Sequence, residues 1–147
     1  SYLDAICAKV ESAGFRPVRY SELRKNSASA TFIVVDTMGM LAEIYGTATA
    51  AFVGGALHNQ VHNVLEPASH GLAIAFGPFY KNSQEATHLV ESGLATVVTD
   101  ASQFGTWWRE LDTNGDSMRG RVLNATQELT GGAEIVFAAW RELLDVP

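Results

Sequence analysis

The sequence contains little cysteine and little positive charge. Its 147 residues include one cysteine, Cys7, so an intramolecular disulfide is excluded. There are 10 lysines and arginines against 16 aspartates and glutamates, and the formal net charge is −6. The basic residues are scattered along the chain, whereas binding to nucleic-acid phosphates requires clustered lysine and arginine. We therefore expect a globular domain without a nucleic-acid partner, in which Cys7 is a small buried apolar residue.

Long hydrophobic runs are also absent. The longest apolar stretch, residues 48–57, contains Gly54-Gly55 and is too short to cross a bilayer as a helix. No secretory signal peptide is recognisable, and the chain opens directly on a helical pattern of apolar residues. These features predict a protein without a membrane-spanning segment of its own. The helical opening leads us to expect a piece of a longer protein.

The common catalytic and phosphate-binding motifs are missing as well. The sequence has no Gly-x-Ser-x-Gly elbow, no Gly-x-Gly-x-x-Gly fingerprint and no phosphate loop ending in Lys-Ser/Thr. His58 and His62 have the spacing of a helical zinc site, but Asn59 stands where zinc proteases carry a glutamate. A third ligand would have to come from a distant segment. We therefore expect no metal site.

Short apolar segments alternate with longer amphipathic ones. The segment 31–35 is apolar and β-branched throughout, which is typical of a strand buried on both faces of a parallel sheet. Predicted strands cover 16–20, 31–35, 50–53, 72–76 and 95–99, and predicted helices cover 3–10, 38–45, 64–70, 83–91, 101–111, 117–129 and 133–144. This alternation predicts an α/β fold, a Rossmann-like parallel sheet with helices on both faces. Ligands would bind beyond the carboxyl ends of the strands, in the loops 36–39, 54–63, 77–83 and 100–102.

The second of these loops leads into a helix with two open interpretations. Asn63 is a preferred N-cap residue, and Glu66 follows it at the spacing of a capping box. If the helix begins later, Pro67 would take its favoured first position. In both cases Glu66 either caps its own backbone or binds a ligand. On local pattern alone, His62 would be a hydrogen-bonded structural histidine and His70 a solvent-facing residue near the helix end.

Three stretches together resemble one protein family. They are VDTMGMLAEIYGTATAAFVGG at 35–55, HNVLEPASHG at 62–71 and FGPFYKNSQEATHLVESG at 76–93. In this order they are similar to the C-terminal half of the 3-deoxy-D-manno-octulosonic acid (Kdo) transferases, which are GT-B glycosyltransferases of lipopolysaccharide synthesis. The similarity spans roughly residues 15–100, and the tail from Ala101 onward is generic.

The resemblance implies that residues 1–147 form a single donor-binding domain, the C-terminal half of a GT-B fold. This domain would be a fragment of a longer two-domain enzyme. The family transfers Kdo from CMP-Kdo to a lipid A precursor at the cytoplasmic face of the bacterial inner membrane. The N-terminal acceptor domain, which would carry the catalytic carboxylate and the membrane-facing surface, is absent from the sequence. The resemblance therefore implies CMP-Kdo as donor substrate, no cofactor or metal, and no catalytic residue or activity in the fragment alone.

The resemblance also implies donor-binding residues by position. Thr37, Met38 and Gly39 would lie near the cytosine. The phosphate would be bound by Gly54, Gly55, His62 and Asn63. Glu66 would lie at the ribose hydroxyls, and the weaker candidates Asn82 and Gln84 would lie at the sugar. The chain departs from the family at 57–61, where many members have further glycines, and at Val64, where proline is frequent. The first strand and basic loop of the donor half are not recognisable, since the chain opens on the helix that follows them.

Two other functions fit the same fold. The chain could be the donor domain of a UDP-sugar transferase or epimerase, which competition between CMP and UDP would reveal. It could also be a non-catalytic α/β module that binds a partner or a regulatory nucleotide. An acceptor domain upstream in the parent gene would exclude this last alternative.

Overall fold

The computed structural model describes residues 1–23 and 30–130, with the side chains of 112–118 and 127–130 left out. These residues form two compact units that divide between Leu41 and Ala42. Each unit is built around its own parallel sheet. No helix in the described ranges has the length and hydropathy needed to cross a membrane.

In its described residues, the first unit contains an N-terminal helix and two short strands. Helix α1 spans Tyr2–Ser12, strand β1 spans Pro17–Arg19, a 3-10 turn spans Tyr20–Glu22, and strand β2 spans Phe32–Val34. The two strands pair in parallel and α1 packs against both of them. The predicted strand with proline at its beginning is thereby confirmed.

Strand β2 is less buried than its sequence predicts. Phe32 is 42% exposed and Ile33 is 47% exposed, and only Val34 of this strand is buried. The expectation of burial on both faces was wrong for this strand in the described structure. A strand is buried on both faces only where layers cover both sides of its sheet. In the described part of the first unit, helix α1 packs against the sheet, and no described layer covers Phe32 and Ile33.

The second unit contains the regular α/β alternation. Its elements are α2 (Leu41–Tyr45, beginning at the boundary residue), β3 (Ala50–Val53), α3 (Leu65–Ser69), β4 (Ala73–Phe76), α4 (Gln84–Glu91), β5 (Ala95–Val97) and α5 (Ala101–Thr130). The three strands are parallel in the order β3-β4-β5. In the described chain, β4 is therefore the central strand of this sheet.

Strand β4 is covered on both faces, as its continuous apolar sequence predicts. Ile74 and Phe76 belong to a core cluster that includes Leu89 of α4. The alternate residue Ala75 packs on the other side, in a cluster that includes Trp107 of α5. Because successive side chains of a strand point to opposite faces, these clusters place helices on both sides of the sheet. The predicted Rossmann-like arrangement is thereby confirmed.

Helix α5 is one continuous helix where the sequence predicts two. The expected break between residues 111 and 117 does not form, and the helix runs for 30 residues from Ala101 to Thr130. The glycines in this stretch suggest a break, but each costs a helix only about 1 kcal/mol. The helix packs against α3 and β4, and this packing offsets that cost. The predicted helix 133–144 lies outside the described residues.

Gly71 allows α5 to approach the end of α3 closely. It has a φ of +73°, and a Cβ on this residue would lie 2.7 Å from Cγ of Leu123. A residue directly after a helix commonly adopts this left-handed conformation, and glycine does so without steric cost. The expected helix end at Gly71 is therefore confirmed, and the absence of a side chain there also serves packing.

Candidate functional site

The loop after β3 is a compact turn closed by backbone hydrogen bonds. The N–H of Asn59 donates to the carbonyl of Gly55 at 3.0 Å. The N–H of His62 donates to the carbonyl of Gly54 at 3.1 Å. The two glycines therefore form one side of the turn, and the chain returns to them at His62.

Backbone hydrogen bonds from the loop after β4 hold this turn in place. The N–H of Phe79 donates to the carbonyl of Ala56 at 3.0 Å, and the N–H of Val61 donates to the carbonyl of Phe79 at 3.2 Å. Gly77 is buried here, and a Cβ on it would lie 2.4 Å from the carbonyl oxygen of Ala56. The glycine of the Phe-Gly-Pro motif thus allows two loops from neighbouring strands to interlock.

His62 lies directly against the Gly54-Gly55 backbone. A Cβ on Gly55 would be 3.1 Å from Nε2 of His62 and 2.1 Å from the carbonyl oxygen of Gln60. Gly55 also has a φ of +89°, a conformation that side-chain-bearing residues rarely adopt. The structure therefore brings three of the predicted phosphate-binding residues together, with the imidazole of His62 packed on the backbone of the two glycines.

Asn63 and Glu66 do not form the capping box that their spacing suggests. Helix α3 begins at Leu65, and the Oδ1 of Asn63 accepts the N–H of Leu65 at 3.0 Å. Among the described residues, no hydrogen bond reaches the carboxylate of Glu66. Pro67 is buried in the first turn, where a backbone N–H has no helical partner. Of the two interpretations left open, the cap is wrong, and the half-buried Glu66 keeps its carboxylate for other contacts.

Tyr45 lies beside His70, the residue that follows the last turn of α3. The ring of Tyr45 is 6.2 Å from the ring of His70, centroid to centroid. Burial raises the pKa of the Tyr45 phenol, and the negative charge of Glu66 raises this pKa further. The prediction that His70 faces solvent was wrong, since it is half-buried and in contact with this ring. Sequence spacing did not reveal Tyr45 because it comes from another helix, α2.

Asn82 and Gln84 both follow β4 and are exposed. The resemblance places Gln84 in the loop, but in the structure Gln84 is the first residue of α4. The hydroxyl of Ser83 accepts the N–H of Ala86 at 3.1 Å and caps this helix. Gln84, an expected sugar contact, therefore lies at the N-terminal end of this helix.

Thr37, Met38 and Gly39 lie in the first unit, directly after β2, and all three are exposed. Met38 is 97% exposed. The loop is anchored just before them by Asp36, whose Oδ1 accepts the N–H of Ser21 at 3.0 Å and whose Oδ2 accepts its hydroxyl at 2.6 Å. These two hydrogen bonds favour the ionised carboxylate and lower the pKa of Asp36.

Metal-binding side chains do not converge in the described ranges. No group of three or more histidine, cysteine, aspartate or glutamate residues lies in an arrangement that could hold a metal ion there. His58 and His62, the pair with zinc-like spacing, are both exposed and lie in the turn and the strand-to-helix connection rather than on one helix. Cys7 is half-buried in α1.

The fold and its loops define the class of protein: a parallel sheet with helices on both faces, whose strands are followed by glycine-rich and polar loops. It is the Rossmann-like arrangement of nucleotide-binding domains, which includes the halves of GT-B glycosyltransferases. The solved C-terminal CMP-Kdo binding domain of WaaA from Acinetobacter baumannii has the same fold, with a TM-score of 0.74 and 25% sequence identity. The match covers 86% of this chain and 67% of that domain.

Sequence comparison leads to the same proteins. The chain is 40% identical over 83 residues to the 3-deoxy-D-manno-octulosonic acid transferase of Chlamydia trachomatis serovar D, covering 48% of this chain and 19% of that protein. It is 33% identical over 81 residues to the transferase of the same name from Aquifex aeolicus, covering 54% of this chain and 23% of that protein. No protein-family model matches the chain.

The resemblance to the C-terminal half of the Kdo transferases is therefore confirmed in sequence and in fold. The matched region spans about a fifth of the length of the curated relatives.

Proposed function

We propose that this chain is the CMP-Kdo binding domain of a Kdo transferase. The observation that carries the proposal is the fold match to a domain named for CMP-Kdo binding, at 25% identity over 86% of the chain. In this proposal the chain is one domain of a two-domain GT-B enzyme, and the acceptor domain lies elsewhere in the parent protein. The full enzyme would add Kdo to a lipid A precursor during lipopolysaccharide synthesis.

The phosphate of the donor would approach the loop at Gly54-Gly55, in which Gly54 is exposed. His62 lies beside these glycines and would donate to a phosphate oxygen. Asn63 uses its side-chain oxygen on the backbone of Leu65, so its amide nitrogen remains as the donor on that side chain. These groups would stabilise the negative charge that develops on the departing CMP.

Glu66 would accept hydrogen bonds from the ribose hydroxyls. Its carboxylate is not used to cap its own helix in the described structure. A carboxylate oxygen accepts hydroxyl protons in strong, charge-assisted bonds. Glu66 therefore has the acceptor chemistry that a ribose requires, and no hydrogen bond from the described residues occupies its carboxylate.

The cytosine would lie near Thr37, Met38 and Gly39. Met38 is 97% exposed, which is unusual for an apolar side chain and leaves a surface for a base to cover. Thioether side chains also make favourable contacts with aromatic rings. Asn82 and Gln84, both exposed after β4, would contact the Kdo sugar.

The full enzyme would act by attack of an acceptor hydroxyl on the anomeric carbon of CMP-Kdo. The bond from that carbon to the phosphate oxygen breaks, CMP leaves, and a general base in the acceptor domain takes the hydroxyl proton. This chain contributes donor binding alone, so we expect no transfer activity from it in isolation. We expect no cofactor or metal requirement for CMP binding by the chain.

The acceptor domain would supply the remaining partners. It would bind the lipid A precursor and would be the main contact with the cytoplasmic face of the bacterial inner membrane. Nucleic acid is not an expected partner, because the chain carries a net charge of −6 without a basic cluster.

Competition between nucleotides tests this function on the 147-residue chain. We expect calorimetry to detect CMP binding, with UMP at least about tenfold weaker, since the donor base is cytosine. An equal or stronger affinity for UMP would favour a UDP-sugar enzyme instead. Absence of binding by both nucleotides would favour the non-catalytic module and would contradict donor binding by this chain.

A further inference from the structure

Lys81 belongs to no predicted donor-binding group, yet it lies in the loop after β4 beside Asn82, a proposed sugar contact. The N–H of Ser83 donates to the carbonyl of Tyr80 at 2.9 Å, which closes a turn with Lys81 and Asn82 at its corner. Both corner residues are exposed. One short turn therefore carries an ammonium group next to an amide group.

The turn is held by core packing on one side and by a helix on the other. The ring of Tyr80 lies 5.4 Å from the ring of Phe76, centroid to centroid, and Phe76 is fully buried. On the other side, the hydroxyl of Ser83 accepts the N–H of Ala86 and caps the start of α4. The backbone of Lys81 is thus ordered before any ligand binds, which reduces the entropy that binding would cost.

The same loop is joined to the Gly54-Gly55 turn by backbone hydrogen bonds. Phe79 donates its N–H to the carbonyl of Ala56 at 3.0 Å and accepts the N–H of Val61 at 3.2 Å. Lys81 is two residues further along, so its Cα lies at most about 7.6 Å from the Cα of Phe79. Its charge is carried on a flexible four-carbon stem. A ligand bound at the glycine turn is therefore within reach of Lys81.

Lys81 supplies a positive charge at the carboxyl ends of the strands of the second unit. The loops after β3, β4 and β5 comprise residues 54–64, 77–83 and 98–100, all of them described. In these loops, the other residues that can carry a charge near neutral pH are His58, His62 and Asp100. The chain as a whole has a formal net charge of −6. An anionic ligand at these loops therefore needs a local cation, and lysine is protonated throughout the physiological range.

CMP-Kdo carries two negative charges, one on its phosphate and one on the carboxylate of the octulosonic acid. The loop after β3 already supplies the proposed phosphate contacts, His62 and Asn63. We propose that Lys81 is a specificity-determining residue that binds the carboxylate of the Kdo sugar through a charge-assisted hydrogen bond. This inference rests on the proposed donor binding, with the sugar beside Asn82. Lys81 would thereby favour an acidic sugar over a neutral one on the same nucleotide.

The test compares CMP, which lacks the sugar, with CMP-Kdo by calorimetry on the 147-residue chain and on Lys81→Met. We expect the parent chain to bind CMP-Kdo more tightly than CMP. Lys81→Met should weaken CMP-Kdo binding about five- to fiftyfold, between the effect of an exposed ion pair and that of a hydrogen bond to a charged group. The affinity for CMP should not change, because CMP has no carboxylate.

Two further variants are the controls. Lys81→Arg keeps a positive charge at the turn and should retain most of the preference for CMP-Kdo. Lys9→Met removes the same charge from an exposed position on α1 and should bind both ligands as the parent chain does. Because Lys81 is exposed, urea denaturation should give Lys81→Met the free energy of unfolding of the parent chain, so that weaker binding is not a loss of folding.

The outcomes separate the two proposals. If the parent chain binds CMP and CMP-Kdo equally well, or if Lys81→Met keeps the preference for CMP-Kdo, the carboxylate contact is wrong while donor binding stands. If Lys81→Met weakens both ligands to the same extent, Lys81 acts on the phosphate and the carboxylate contact is again wrong. If the parent chain binds neither ligand, the proposed function itself fails and this inference fails with it.

Discussion

Gly55→Ala is expected to lower the free energy of unfolding of the chain by about 2–5 kcal/mol. Forcing alanine to a φ of +89° costs about 1–2 kcal/mol. The new Cβ would also lie 2.1 Å from the carbonyl oxygen of Gln60, so the turn must open. Overpacking of this kind adds about 1–3 kcal/mol. Urea denaturation measures the loss, and CMP binding should weaken with it because the loop that we propose to bind the phosphate is displaced.

Two matched glycines separate the causes. Gly14→Ala has nearly the same φ, +87°, but its Cβ would meet nothing within 4 Å, so only the backbone cost of about 1–2 kcal/mol should appear. Gly54→Ala places its Cβ 3.7 Å from His62 without a positive φ, so the free energy of unfolding should change little. If Gly55→Ala were no less stable than Gly54→Ala, the described turn would be wrong.

Glu66→Ala is expected to weaken CMP binding by about tenfold to a hundredfold. Hydrogen bonds to a charged group contribute roughly 1.5–3 kcal/mol each, and the variant loses the carboxylate that would accept from the ribose. Because Glu66 does not cap its helix, the free energy of unfolding should fall by less than about 1 kcal/mol. Calorimetry with CMP, paired with urea denaturation, distinguishes these two effects.

Glu43→Ala is the control for Glu66→Ala. Glu43 lies in the first turn of α2, which like α3 has five residues, so its removal tests any general effect of an acidic helix start. We expect CMP affinity to be unchanged in this control. An unchanged affinity in Glu66→Ala as well would exclude Glu66 from the nucleotide site.

The elements of the second unit were largely predictable from local sequence. Strand β4 was recognised because an unbroken apolar run indicates burial on both faces, and Ile74 and Phe76 are buried in the core as that pattern requires. The start of α4 was recognisable from Ser83, which caps the helix. Such signals depend on a few neighbouring residues, so they can be recognised without knowledge of the tertiary structure.

The predictions that failed depend on what surrounds a segment. Strand β2 has the same kind of apolar sequence as β4, but no described layer covers Phe32 and Ile33, which are exposed. Helix α5 continues through glycines because packing on α3 and β4 outweighs their low helix propensity. Neither the number of layers nor this packing can be read from a local pattern.

The sequence likewise predicted some parts of the candidate site and missed others. The Gly54-Gly55 turn was visible in the sequence, but its attachment to Phe79 joins two loops that are distant in the chain. The spacing of Asn63 and Glu66 favoured a capping box, yet Asn63 bonds to Leu65 instead and leaves Glu66 uncapped. Tyr45 had no local signal, because its contact with α3 exists only after folding.

The most direct test of donor binding is an NMR titration of the uniformly ¹⁵N-labelled chain with CMP. We predict that the amide resonances of Gly54, Gly55 and Glu66 shift progressively and saturate. The amide of Gly93, at the far end of α4, should not move. If saturating CMP leaves the resonances of residues 54–66 in place, the central claim that this chain binds the nucleotide of CMP-Kdo is contradicted.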